Sequence, residues 1–346
     1  MFENSHGKIN VCEICPVKHD LTFVVQYFYP EFFATAQLMT ELAKDLVERG
    51  IKINVITGQP SYIGRKKAPR KEVYKGIDIK RVSSTRFNKN KSLGRIINWT
   101  SFTFLAFFHL LFSKKRSKLF IVSNPPFLFV VGWLLNIIRK QNYICLIHDL
   151  YPEIAVKLGI LKKGSIISKI WEKANKSFFK KSQYIVVPSE NMKFLIEEKI
   201  GKSNKVQLIY NWADGQFIKP MKKEENWFCK KHDLVNKLVI LYSGNIGLFH
   251  SLEILIEAAD ELRDEKKIKF VFIGEGGKKK KLMRMVDLKK LDNILFLSYQ
   301  DREVLPYSLT CADLSVVSLE KCLDCVAAPC KLYTSLSAAS INISKL

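Results

Sequence analysis

Short runs of β-branched and aromatic residues alternate along this chain with longer stretches in which apolar residues recur every three or four positions. That is the texture of parallel strands joined by crossover helices, an α/β fold. Residues 21–26, Leu21-Thr22-Phe23-Val24-Val25-Gln26, read as a strand, and 36–49 as a helix with Leu38, Leu42, Leu46 and Val47 on one face. Gly50 closes that helix, and 51–57 is the next strand of a βαβ unit. Further strands are predicted at 77–82, 119–123, 143–147 and 184–187, a first sheet of roughly five to seven strands. The alternation breaks within 214–227, where Pro220-Met221-Lys222-Lys223-Glu224-Glu225 marks a boundary. It then restarts, with strands at 238–242, 269–273, 294–297 and 314–317 and helices at 252–262, 278–286 and 302–311. The reading is an N-terminal extension, 1–20, followed by two Rossmann-like domains, 21–214 and 215–346. Such a half needs about five or six strands, so the second domain is expected to be incomplete.

Residues 96–112 disturb the pattern. Trp99, Phe102, Phe104, Phe107, Phe108 and Phe112 crowd into them, and Lys114, Lys115, Arg116 and Lys118 follow. Interrupted by Asn98, Thr100, Ser101, Thr103 and His109, the stretch is short for a bilayer span of about twenty residues. It reads as an interfacial helix, with aromatic rings at the headgroup boundary and the basic flank toward anionic lipid. A buried core helix is the alternative. Residues 126–138 are too short to span and read as a core helix.

Charge adds a constraint that patterning does not. Subtracting 33 acidic from 56 basic residues leaves +23, which demands an anionic partner: nucleic acid, anionic lipid or a phosphorylated ligand. The aromatics lie in apolar runs instead of interleaving with Lys and Arg, which argues against nucleic acid. The opening residues are polar and mixed, without the apolar core of a secretory signal, so cytosolic residence on the inner face of the membrane is expected. Eight cysteines then read as reduced thiols. The C-x-x-C pairs Cys12/Cys15 and Cys322/Cys325 have no further ligands at zinc spacing, so no metal site is expected.

In an open parallel sheet, ligands bind at the carboxyl ends of strands. Four such loops carry chemistry. The first strand runs into Tyr29-Pro30-Glu31, and the 143–147 strand ends in His148-Asp149-Leu150-Tyr151-Pro152-Glu153, where a histidine and an acid can hold hydroxyls or exchange protons. In the second half, Ser243-Gly244-Asn245-Ile246-Gly247 and Gly274-Glu275-Gly276-Gly277 both follow strands and precede helices, a pair of glycine loops suited to a diphosphate. Lys278 to Lys281 read mainly as a solvated helix face, with at most one of the four at the ligand. P-loop, H-E-x-x-H, G-x-S-x-G and G-x-G-x-x-G motifs are absent, which counts against nucleotide hydrolysis, zinc proteolysis, serine hydrolysis and dinucleotide-dependent dehydrogenation.

Together with Ser123-Asn124-Pro125-Pro126, Pro188-Ser189-Glu190 and Tyr210-Asn211-Trp212, these loops resemble, in order and from about residue 21 to 338, bacterial retaining glycosyltransferases of family four. The likeness is to the WbuB-like enzymes of O-antigen and capsule synthesis in particular. The resemblance implies a GT-B fold, two Rossmann-like domains facing across a cleft. It further implies metal-independent sugar transfer, with retention, from a nucleotide-diphosphate donor, UDP-linked in this subgroup, to a lipid-linked saccharide. No separate cofactor is implied. By the same resemblance His148 lies at the reacting sugar. Gly244, Asn245, Gly247, Gly274, Glu275, Gly276 and Lys331 hold the donor, and Tyr29, Pro30, Glu31, Asp149 and Glu153 belong to the acceptor side.

Two departures stand out. Many relatives carry a pair of glutamates in the donor domain, and the second would fall near Thr334, yet no glutamate follows Glu320. Pro329-Cys330-Lys331-Leu332-Tyr333 is similar to the family's P-S-K-L-Y helix, but 339–346 matches nothing that normally follows. A frameshift or early stop near Ala338 is therefore expected, with an exposed sheet edge, and an inactive remnant of such an enzyme is the alternative to an active one.

Overall fold

The computed structural model describes residues 19–31, 34–60, 67–87, 92–114, 117–247, 250–318, 323, 326 and 329–344. Nearly all of the expected N-terminal extension, both C-x-x-C pairs and part of the basic run after 112 lie outside them. Among the described cysteines, Cys145, Cys229, Cys311 and Cys330 are free thiols.

The first half is an eight-stranded sheet in the order β3-β4-β2-β1-β5-β6-β7-β8. Its strands are β1 (Leu21–Val24), β2 (Ile53–Thr57), β3 (Lys71–Tyr74), β4 (Ile77–Arg81), β5 (Lys118–Val122), β6 (Tyr143–Leu146), β7 (Tyr184–Val187) and β8 (Val206–Leu208). All pair in parallel except β3, which returns antiparallel against β4. Central strands of a parallel sheet are covered on both faces, and β2 is accordingly buried at every position. The sequence pattern missed β3 and counted too few strands, because Lys71-Glu72-Val73-Tyr74 is half polar and exposed. That composition suits an edge.

Helix α1 (Ala34–Glu48) packs Leu38, Met39 and Ala43 on one face of this sheet. Helices α2 (Ser92–Leu111), α3 (Phe129–Arg139), α4 (Glu153–Lys157), α5 (Ile166–Lys181) and α6 (Glu190–Ile200) follow in the chain. Residues of α2 through α6 contribute to the opposite core. Helix α3 is the core helix expected at 126–138, with Phe129, Val131 and Leu135 buried. Helix α2 is more divided than its sequence implies. Phe102, Ala106 and Leu110, four residues apart, sit in the core, whereas Leu93, Ile96, Phe104 and Phe112 are exposed. Among the described residues no helix is long and apolar enough to cross a membrane.

The second half follows α7 (Trp227–Lys231). It is a parallel sheet in the order β11-β10-β9-β12-β13, built from β9 (Leu238–Ser243), β10 (Ile268–Ile273), β11 (Ile294–Leu297), β12 (Leu314–Val317) and β13 (Ile341–Ser344). Helices α8 (Glu253–Glu261), α9 (Lys279–Lys289), α10 (Leu305–Leu309) and α11 (Lys331–Ser337) connect the strands, and cores form on both faces. One expectation is corrected here. Four strands were expected in this half, and residues 341–344, within the segment that matches nothing in the family pattern, supply a fifth, β13, which pairs in parallel with β12 from Leu314↔Ile341 to Val317↔Ser344. This half thus has five strands, and β12 is covered instead of forming the edge.

Candidate active site

The carboxyl ends of both sheets converge between the halves. In the first half, β6 delivers His148 and Asp149, whose backbone N–H groups both donate to Ser123 Oγ at 3.0 and 3.1 Å. Ser123 ends β5, so one hydroxyl ties two adjacent strand ends and fixes where the histidine emerges. His148 is only 7% exposed, and neither ring nitrogen has a partner among the described residues. Burial alone pulls its pKa down to about 4, so the imidazole is neutral at physiological pH, with one N–H to give and one lone pair to accept. Beside it, burial pushes the Asp149 carboxyl up to about 6.

The other acceptor-side residues divide. Glu153 opens α4, where one carboxylate oxygen pairs with Lys199 of α6 and the other is buried without a partner among the described residues. Tyr29 is committed to structure: its ring stacks on Tyr74 at 3.7 Å, and its carbonyl accepts from Arg81 at 2.7 Å. Pro30 follows a cis peptide bond, and Glu31 is buried with its N–H bonded to the Phe28 carbonyl. The structure adds Arg95, on the first turn of α2. Its charge lowers the pKa of Tyr27 and Tyr151 against the larger upward push of burial, which carries both phenols to about 12. Nothing in the local pattern of α2 marks Arg95; only the fold sets it beside the strand-end loops.

In the second half the two glycine loops interlock. The Gly244 N–H bonds the Ile273 carbonyl at 2.8 Å, and the Ile246 N–H bonds the Glu275 carbonyl at 2.9 Å. Gly244 and Gly274 have φ of +133° and +146°, and a Cβ on Gly274 would overlap the Gly244 carbonyl oxygen. A Cβ on Gly276 would likewise overlap the Ile246 carbonyl, and one on Gly247 would meet the Asn245 side chain. Lys331 reaches across from α11 to lie over Gly244. Its ammonium donates to Tyr242 Oη at 2.7 Å, and that hydroxyl donates in turn to the Asn245 carbonyl at 2.7 Å. Burial lowers the Lys331 pKa to about 7. Gly244, Asn245, Gly274, Gly276 and Lys331 therefore form one surface, with backbone and a single cation presented together.

The expectation for the lysine run needs correcting. Lys278 bonds Glu253 and the His250 carbonyl, and Lys279 bonds Glu275 and the Gly274 carbonyl; only 16% and 13% of these side chains is exposed. Two of the four lysines thus brace the loops instead of lying on a solvated face. Glu275 spends its carboxylate on Lys279, so its carbonyl and backbone, more than its acid, shape the loop.

Between the halves lies a cavity of about 510 Å³, lined by Leu38 and Glu41 of α1, by Trp212, and by Gly244, Lys331 and Thr334 of the second half. Sequence reasoning missed the bridge beside it. Arg302 donates to Glu41 at 2.9 Å, and Trp212 Nε1 donates to the same carboxylate at 3.2 Å. These partners are separated by 261 and 171 positions, so no local signal could pair them. His148 does not line this cavity, but Cys330 does, and the Asp149 charge reinforces the burial that pushes the Cys330 thiol up to about 12. The halves also meet where the Leu150 N–H bonds the Val326 carbonyl at 3.0 Å. Among the described residues no group of acids, histidines and cysteines could hold a metal ion.

A model described as Glycosyltransferase Family 4 matches residues 35–217, and one described as Glycosyl transferases group 1 matches 224–321. The chain belongs to glycosyltransferase family 4. It is 28% identical over 258 residues to the probable glycosyltransferase WbjE of Pseudomonas aeruginosa, covering 73% of this chain and 63% of that one. It is 26% identical over 328 residues to the putative colanic acid biosynthesis glycosyl transferase WcaI of Escherichia coli, covering 90% and 79%. The chain thus spans less than two thirds of the length of WbjE. Among solved structures it is similar to sucrose-phosphate synthase from Thermosynechococcus elongatus, with a TM-score of 0.74 at 12% identity, over 94% of this chain and 81% of that one. Anabaena HepE in complex with UDP and glucose gives 0.67 at 12% identity, over 94% and 80%. Two Rossmann-like halves facing across a cleft, the GT-B fold, are thereby established for this family member.

Proposed function

We propose that this chain transfers a sugar from a UDP-linked donor, with retention at the anomeric carbon, to a lipid-linked saccharide during O-antigen, capsule or exopolysaccharide synthesis at the inner face of the cell membrane. The observation that carries this reading is the surface made by Gly244, Gly274 and Lys331, which offers close backbone approach and one cation at the mouth of a cleft between two Rossmann-like halves. Donors of that kind stabilise negative charge as it develops on a departing diphosphate. The names of WbjE and WcaI, and the UDP and glucose bound to HepE, support the substrate class.

In this scheme the donor diphosphate lies along the two glycine loops, and Lys331, protonated on binding, holds its charge. Neutral His148 hydrogen-bonds a hydroxyl of the transferring sugar, while Asp149 and Glu153 orient the acceptor. The bond from the anomeric carbon to the diphosphate breaks as the acceptor oxygen bonds that carbon on the same face. The acceptor proton passes to the departing phosphate oxygen. Thr334 lines the cavity near the position where the resemblance leads one to expect a ribose-holding glutamate, so in this scheme the ribose is held by other groups. The exposed isoleucines after α4 and on the first turns of α5 support association with an anionic membrane surface.

The test is incubation of the purified protein with UDP-sugars and a lipid-linked saccharide, following UDP release and the anomeric configuration of the product by NMR. UDP release with a retained linkage is expected. Saturable donor binding without any product would leave only the inactive remnant.

A further inference from the structure

If the acceptor carries a lipid, as proposed above, a surface beside the acceptor loop must meet the bilayer. The segment between Glu153 and Glu190 contains lysines 157, 162, 163, 169, 173, 176, 180 and 181 and a single acid, Glu172. Within it, the loop after α4 and the first turns of α5 expose four isoleucines: Ile160 at 65%, Ile166 at 78%, Ile167 at 64% and Ile170 at 64%. Clustered isoleucines on water are an unfavourable surface unless something covers them. Lys162, Lys163 and Lys169 are exposed among them and have no acidic partner among the described residues. Ser165 caps α5 through the Ser168 N–H at 3.3 Å, so the patch sits on an ordered helix start.

That helix is fastened to the acceptor loop. Trp171 stacks on Tyr151 at 5.9 Å between centroids and 13° between planes, and Asn175 donates to the Tyr151 carbonyl at 2.5 Å. Tyr151 is two residues from Asp149, and Ile167 and Ile170 flank Trp171 on the outside of α5. Across the same loop, Leu93 and Ile96 of α2 are also exposed, at 70% and 49%.

We propose that the isoleucines of the α4–α5 loop and first α5 turns, with Lys162, Lys163 and Lys169, dock the protein on an anionic phospholipid bilayer, seating the His148–Asp149 end of the cleft against the headgroups. Apolar side chains entering the interface and lysines meeting anionic lipid are the two components of peripheral binding. Seven more basic than acidic residues between Glu153 and Glu190 match that charge. Docking here would present the head of a lipid-linked acceptor to Asp149 and Glu153 without extracting its tail.

The test uses the whole chain and co-sedimentation with vesicles of equimolar phosphatidylglycerol and phosphatidylcholine, against phosphatidylcholine alone. One variant combines Lys162→Glu, Lys163→Glu and Lys169→Glu; a second combines Ile166→Ser, Ile167→Ser and Ile170→Ser; a third, on α2, combines Phe104→Ser and Phe112→Ser. Melting temperature and UDP binding confirm that each is folded. Loss of three surface lysines is expected to lower partitioning onto the mixed vesicles about a hundredfold. The isoleucine variant is expected to lose at least about tenfold, and the α2 variant to stay near wild type. Either α5 variant partitioning like wild type overturns the proposal, as does equal binding of the wild type to neutral vesicles. An isoleucine variant that merely dissolves a dimer, or a lysine variant that loses RNA retention but keeps vesicle binding, also overturns it. Vesicle binding is read without donor or acceptor. Absent sugar transfer with intact, α5-dependent binding therefore counts against the enzymatic reading and not the docking surface.

Discussion

Replacing Lys331 by methionine isolates one charge at the candidate donor site with little change of volume. Lys331 lies over Gly244, bonds Tyr242 and titrates near about 7 because burial disfavours its charged form. A hydrogen bond to a charged group is worth about 1.5–3 kcal/mol, so Lys331→Met should weaken UDP-glucose binding about 10- to 150-fold at a pH where the lysine is protonated. The pH dependence is the sharper reading. With a pKa of about 7 in the free protein, the protonated fraction falls from about nine-tenths at pH 6 to about one-tenth at pH 8. Wild-type affinity should fall about tenfold over that range, because the diphosphate of a UDP-sugar does not itself titrate there, while the variant should be flat. Isothermal titration in buffers of different ionisation enthalpy would show proton uptake on binding by the wild type alone. Stability moves the other way. The folded pKa lies below the ordinary lysine value of 10.5, so the native state binds fewer protons than the unfolded chain between about 7 and 10.5, and stability declines as pH falls through that window. Unliganded Lys331→Met should therefore outlast the wild type at pH 6, by a margin that shrinks toward pH 10. Wild-type affinity that is level from about pH 6 to about pH 8, or a variant that binds within about twofold, would refute the reasoning.

Two further outcomes follow from packing at the same cleft. Gly274→Ala forces a Cβ into the Gly244 carbonyl and should cost more than about 2 kcal/mol in urea unfolding, with UDP binding lost in parallel; an unchanged midpoint would mean the loops can separate freely. His148→Gln keeps a neutral donor and acceptor but misplaces them, so turnover should fall about a hundredfold with UDP affinity within about twofold. Because the wild-type imidazole titrates near about 4, turnover should show no His148-dependent limb above about pH 5.5.

How much of this was legible beforehand depended on how local the cause was. Central strands such as β2 and β10 read off the chain because burial on both faces requires an apolar run. Edge strands did not: β3 carries lysine and glutamate, and β8 is three residues long. Strand β13 was overlooked although Ile341-Asn342-Ile343-Ser344 alternates apolar and polar residues, because four residues are too short a run to stand out until they pair with β12. Helix α2 shows the same dependence. Its aromatics fall on more than one side, and only the placement of α3 and the sheet decides that Phe102 is covered while Phe104 is not.

The sequence by itself determined the alternation that makes two Rossmann-like halves, the glycine loops at Gly244 and Gly274, and the strand end at His148. Each of these follows from neighbours within a few positions: period, turn chemistry, the end of an apolar run. Tertiary structure alone decided which groups act together. It set Lys331 over Gly244, spent Glu275 on Lys279, tied Glu41 to Arg302, and left both His148 nitrogens buried and, among the described residues, unpartnered. Those outcomes depend on desolvation and on distances across the fold, which composition and spacing along a chain do not encode.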